Sequence, residues 1–133
     1  MEELHDHQKK DLEPYIGNGQ LQVQEISEVQ LIEIIKIRME KPGLSEQDCS
    51  AFYQAQYLNA TLITSDNKLR KFAKTKKLDV HGHLWVFDQM VFAHTLSPNL
   101  ATNKLDELCT EINPKLNLPK KECELRKKQW RVR

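Results

Sequence analysis

Residues 60–64, Ala60-Thr61-Leu62-Ile63-Thr64, are a short apolar run rich in β-branched side chains. Helix signals flank it on both sides. Such a run reads as a buried strand. A strand entered from one helix and left by another favours a parallel sheet covered by helices, because parallel neighbours need a crossover connection. That one segment therefore points to an α/β fold.

The flanking signals are specific. Upstream, Ser27-Glu28-Val29-Gln30 forms a capping box: the serine hydroxyl takes a free helix amide while Gln30 reaches back. A helix carrying Leu31, Ile32, Ile34, Ile35 and Ile37 follows and stops at Pro42-Gly43. Ser45-Glu46-Gln47-Asp48 opens the next helix, whose apolar stripe is Ala51, Phe52, Ala55 and Leu58, with Asn59 suited to its C-terminal cap. Downstream, Asp66 or Asn67 can cap a helix that turns Leu69, Phe72 and Ala73 inward. Val80-His81-Gly82 reads as a short strand, residues 84–93 as a helix, and Ser97-Pro98 as a strong helix start. A last helix is expected over residues 120–130. The alternating Leu21-Gln22-Val23-Gln24-Glu25-Ile26, placed after the turn signal Gly17-Asn18-Gly19, reads as a further strand.

At 133 residues the chain is long enough for one real core. Its net charge is only +1, so any nucleic-acid role must rest on local clustering. No apolar run approaches the ~18 residues of a membrane span. The acidic, polar start lacks the pattern of a secretory signal. Three cysteines, Cys49, Cys109 and Cys123, show no CxxC spacing, which fits a reducing cytosol. There is no GxSxG, phosphate-binding loop, GxGxxG or HExxH. A cytoplasmic protein with no membrane partner is expected.

Two carboxylates stand where an α/β fold gathers ligands. Asp66 follows the 60–64 strand, and substrates of open parallel sheets collect beyond the carboxyl ends of strands. Asp48 lies in the first turn of the helix leading into that strand. Glu3 sits at the start of the chain. Hard cations such as Mg²⁺ or Mn²⁺ take a few carboxylate oxygens together with water and substrate phosphate. Each residue also has a plainer role: Asp48 as the fourth member of a capping box, Asp66 as an N-cap, Glu3 as a solvated charge. The basic run Lys68, Arg70, Lys71, Lys74, Lys76 and Lys77 suits either a phosphate backbone or a solvated helix face. Lys120, Lys121, Arg126, Lys127, Lys128, Arg131 and Arg133, beside Trp130, suit a partner surface, an RNA contact or a solvated tail. His81 and His83, like His5 and His7, are close enough in sequence to share a transition metal, but no further ligands stand at workable spacing.

Two stretches together resemble the PIN-domain family. One is Gly43-Leu44-Ser45-Glu46-Gln47-Asp48 followed by Ala60-Thr61-Leu62-Ile63-Thr64-Ser65-Asp66-Asn67-Lys68-Leu69-Arg70; the other is Asp79-Val80-His81-Gly82-His83-Leu84-Trp85-Val86-Phe87-Asp88. The resemblance covers about residues 43–93, and the pattern around Ile112-Asn113-Pro114 and Leu116 is similar to the helical tail of some bacterial members. It implies an α/β fold with a small parallel sheet flanked by helices: an incomplete PIN-like domain over residues 1–96 and a helical extension over 97–133 packed on it. It also implies a metal-dependent endoribonuclease, in which a cluster of acidic residues holds Mg²⁺ or Mn²⁺ for attack on RNA.

Many members of that family are toxins of bacterial toxin–antitoxin pairs, so an antitoxin protein joins RNA among the implied partners. Asp48 and Asp66 match the family's helix-start and strand-end aspartates, and Glu3, or alternatively Glu2, matches its early glutamate. Lys68, Arg70, Lys71 and Lys74 would meet the nucleic acid. The family's opening strand, which ends in an aspartate, does not precede Glu3 here. The implied enzyme is therefore weak or inactive in this form, and either a homo-oligomer that covers the gap or a rearranged sheet is expected. The alternative is a non-catalytic protein- or RNA-binding module derived from a PIN domain.

Overall fold

A computed structural model describes residues 4–132. Its elements run α1 (Asp6–Gly17), α2 (Glu28–Glu40), α3 (Glu46–Tyr57), β1 (Leu62–Ile63), α4 (Asn67–Thr75), β2 (Val80–His81), α5 (His83–Phe92), α6 (Pro98–Glu107) and α7 (Lys120–Arg131). A π-helical turn, Leu108–Ile112, and a 3₁₀ turn, Pro114–Leu116, join α6 to α7. The fold is α/β, with a small parallel sheet among helices.

The caps act as their residue types dictate. Ser27 accepts from the Gln30 amide while the Gln30 side chain accepts from the Ser27 amide, a complete capping box. Ser97 accepts from the Leu100 amide with Pro98 at the first helical position. Asn59, just past α3, has φ of 50°, a left-handed conformation that asparagine tolerates better than most residues.

Strands β1 and β2 pair in parallel, Leu62 with Val80 and Ile63 with His81, and α4 is the crossover. Leu62 donates to the Asp79 carbonyl and Thr64 to the His81 carbonyl, each at 2.9 Å. Thr61 Oγ1 donates to Asp79 Oδ2 at 2.7 Å, which ties the strand entrances together. That bond, joined by His81, holds the Asp79 carboxyl below the ordinary aspartate range.

Two differences from the sequence expectation stand out. The alternating segment 21–26 forms no strand, and Val23 and Ile26 are exposed. Alternation yields a strand only where a neighbouring edge supplies ladder partners, and none of the described strands lies beside it. The sheet is also buried on one face only. Leu62 and Val80 lie in the core, while Ile63 points to the opposite face and is exposed.

Buried side chains form two clusters. The first joins Ile34, Leu44, Cys49, Phe52, Leu69 and Phe72 to the inner strand residues, with Phe52 and Phe72 in tilted contact at 4.8 Å between centroids. The second joins Val91, Ala101, Leu105, Cys123 and Trp130. Helix α5 links them: it leaves β2 directly and sends Leu84, Phe87 and Val91 into the second cluster. Asp88 on α5 fixes α7 in place, accepting from Arg126 Nε at 2.7 Å and from Trp130 Nε1 at 2.8 Å. No helix among the described residues is long and apolar enough to cross a membrane.

Candidate functional site

Asp66 is the N-cap of α4. Its Oδ1 accepts from the Leu69 amide at 2.8 Å, and its own amide donates to Thr64 Oγ1 at 3.2 Å. One carboxylate oxygen is thereby engaged, and Oδ2 has no partner among the described residues. The capping role and an exposed anionic oxygen coexist, since a carboxylate has about four lone-pair sites.

Asp48 lies in the first turn of α3 and is half-buried. Its amide donates to Ser45 Oγ at 3.1 Å, so the serine half of a capping box is formed. The return half is not: the Asp48 carboxylate caps nothing and pairs with no cation among the described residues. Helix α3 leads into β1, and the two elements pack together. Glu3 lies outside the described residues. Among those described, no three His, Cys, Asp or Glu side chains stand as a group able to hold a metal ion. Asp48 and Asp66 each offer oxygen donors only. That chemistry fits a hard divalent cation, which Mg²⁺ sites commonly bind through one or two carboxylates plus substrate phosphate.

The structure separates the basic run on α4. Lys68, Lys71 and Lys74 are exposed on its outer side, and no carboxylate among the described residues pairs with them. Lys76 is engaged, bonded to Glu40 at 2.6 Å and set over the Phe72 ring. Arg70 is half-buried and turns into a cleft of about 370 Å³ beyond the carboxyl ends of both strands. Ser65 and Asn67, the two neighbours of Asp66, also line it, as do His83, Trp85 and Arg126. Neither Asp48 nor Asp66 is among the lining residues.

Sequence reasoning noticed His81, His83 and the C-terminal basic cluster but did not join them. The signal was present in His81-Gly82-His83, a glycine between two polar residues at a strand-to-helix junction. A Cβ on Gly82 would stand 3.4 Å from Arg70 Nη1 and 3.5 Å from the Thr64 carbonyl oxygen. Both are ordinary contact distances, so Gly82 packs directly against the guanidinium. His81 closes β2, pairs with Asp79 Oδ1 at 2.9 Å, and stacks on Trp85 with centroids 4.4 Å apart. Of the C-terminal cluster, Arg126 and Lys127 are committed to intramolecular ion pairs, with Asp88 and Glu122 and with Asp106 and Glu124 respectively.

A family model described as a PIN domain matches residues 1–120. The match extends well beyond residues 43–93 and takes in α1, α2 and α6. No curated protein and no solved structure matches the chain.

Proposed function

Since the chain belongs to the PIN-domain family and carries its nuclease-like fold, we propose that it is a metal-dependent endoribonuclease in which Asp48 and Asp66 are the described metal ligands and Glu3 a third. One observation carries this: the Asp48 carboxylate is held at a helix start yet takes no capping role and no ion-pair partner among the described residues. An anionic group so placed is stabilised by the helix dipole and remains available.

When bound, Mg²⁺ or Mn²⁺ would supply Lewis-acid polarisation of a phosphodiester. The chain's own residues do the rest. Thr64 holds the Asp66 backbone amide and the Leu69 amide holds Oδ1, leaving Oδ2 to bind. Ser45 fixes the first turn that carries Asp48. Lys68, Lys71 and Lys74 hold backbone phosphates by charge without reading sequence, and Arg70 meets phosphate from the cleft. On this view the nuclease serves as the toxin of a toxin–antitoxin pair. Growth arrest on induced expression, relieved by Asp66→Asn, is the expected outcome. The exposed Val29, Ile32, Ile35 and Met39 of α2 support a homo-oligomer that buries them. Sedimentation as a monomer at every concentration removes that part.

Calorimetric titration with Mn²⁺ tests the site. Wild type should give binding heat that Asp48→Asn and Asp66→Asn each reduce at least tenfold in affinity. Asparagine keeps the Asp66 cap, so folding is preserved. Equal heat in all three proteins, or RNA cleavage that persists in EDTA, overturns the proposal and leaves the binding-module alternative.

A further inference from the structure

Two buried side-chain nitrogens have no hydrogen-bond partner among the described residues: Arg70 Nε and His83 Nδ1. Both side chains line the same cleft. Buried polar groups are almost always satisfied, and one left bare is costly. Two on residues that line one cavity point to a ligand from outside the protein.

The charge on this cleft identifies that ligand. Arg126 is committed to Asp88 and, at 3.6 Å, to Glu122, which also occupies the cleft's α7 wall. His81 is paired with Asp79. Arg70 has no carboxylate partner among the described residues, so its charge is the one left to attract an anion. Ser65 and Asn67 add a hydroxyl and a carboxamide. Helix α5 begins at the same place, and Gly82 as its N-cap brings no side chain to satisfy the first-turn amides. Those features together match a phosphate oxygen set. The stacked His81 and Trp85 line the same cavity and offer a flat aromatic surface, the feature on which bases rest in single-strand binding sites. The cleft volume falls at the low end of small-ligand sites.

We propose that this cleft is a single-nucleotide subsite: Arg70 and His83 hold the phosphate, and the His81–Trp85 pair carries the base. The nucleotide assignment rests on the nuclease reading, whereas the phosphate assignment rests on the cleft alone.

The test is an NMR titration of the full chain in EDTA, with inorganic phosphate, ribose 5-phosphate and uridine 5′-monophosphate in turn. All three should shift the Arg70 Nε–H and His83 ring signals and the amides of residues 83–85. The nucleotide should bind roughly tenfold tighter than ribose 5-phosphate, the size of one base–aromatic stack, and should perturb Trp85. His83→Phe keeps the ring and removes the nitrogen; Arg70→Lys keeps the charge and removes Nε. Each should weaken phosphate binding about tenfold, the scale of one charge-assisted hydrogen bond. Shifts centred on Lys68, Lys71 and Lys74 instead, or affinity unchanged in both variants, overturn the subsite. Since no metal is present, the result separates from the Mn²⁺ titration. Silent phosphate spectra beside Asp66-dependent metal binding reject the subsite and leave the nuclease standing. Phosphate binding without metal binding does the reverse.

Discussion

Helix α2 is rich in apolar residues and α7 poor in them, and the two use them differently. On α2 only Ile34 is buried, at 1% exposure, while Ile35 on the next position is 50% exposed and Met39 75%. On α7 the apolar residues are fewer, yet Trp130 is fully enclosed and hydrogen-bonded through its indole nitrogen to Asp88. Hydrophobic content alone therefore does not locate a core. A core needs a second surface to close against. Helix α7 has one in α5 and α6, whereas α2 packs mainly on α3 and leaves its other sides open.

The largest expected effect tests the enclosed end. Trp130→Ala should cost about 3–5 kcal/mol, the usual range for removing a buried aromatic, as a lowered urea midpoint. A cost under about 1 kcal/mol would mean that α7 is not part of the cooperative unit. The sharper test sits on α2. Ile34→Ala should cost about 3 kcal/mol, and Ile35→Ala, one position along, within about 0.5 kcal/mol. Comparable losses at both positions would show that the outer face of α2 is covered in solution.

Asp88→Ala should cost about 2–3 kcal/mol, because it strands the enclosed Trp130 indole N–H and leaves Arg126 only its longer pair with Glu122. A double-mutant cycle with Arg126→Met should show coupling, since the two side chains touch. The smallest effect lies at the sheet. Because Thr61 and His81 lower the Asp79 pKa in the folded protein, its contribution is present above the unfolded aspartate value, near about 3.9, and is lost as pH falls through the folded value. Asp79→Asn should shift the neutral-pH melting temperature by less than about 2 °C, as befits an exposed pair, and flatten the acid side of the stability profile. An unchanged acid limb would remove Asp79 as its source.

The same contrast explains what could be read from the sequence. Serine and aspartate caps are local chemistry, settled within four residues, so Ser27, Ser45, Asp66 and Ser97 announced their helices correctly. The parallel strands were legible because β-branched residues between helix signals leave few alternatives. The segment 21–26 misled, since a strand is defined by a neighbour as much as by its own pattern. Asp48 and Asp66 were identified by type and spacing, but their hydrogen bonds separate them: one carboxylate is partly spent on a cap, the other is free. The cleft was not legible. It joins residues 65–70 and 81–85 to residues 116–126, and no local pattern records that meeting.

The two clusters also differ in when they can form. Every side chain of the first core is present in the nascent chain once Val80 has been synthesised, and α5 follows immediately. The second cannot close until Trp130 appears. During translation the chain therefore passes through a stage in which the sheet is formed while Leu84, Phe87 and Val91 have yet to meet α7. Slowing synthesis across residues 93–130 should lengthen that interval.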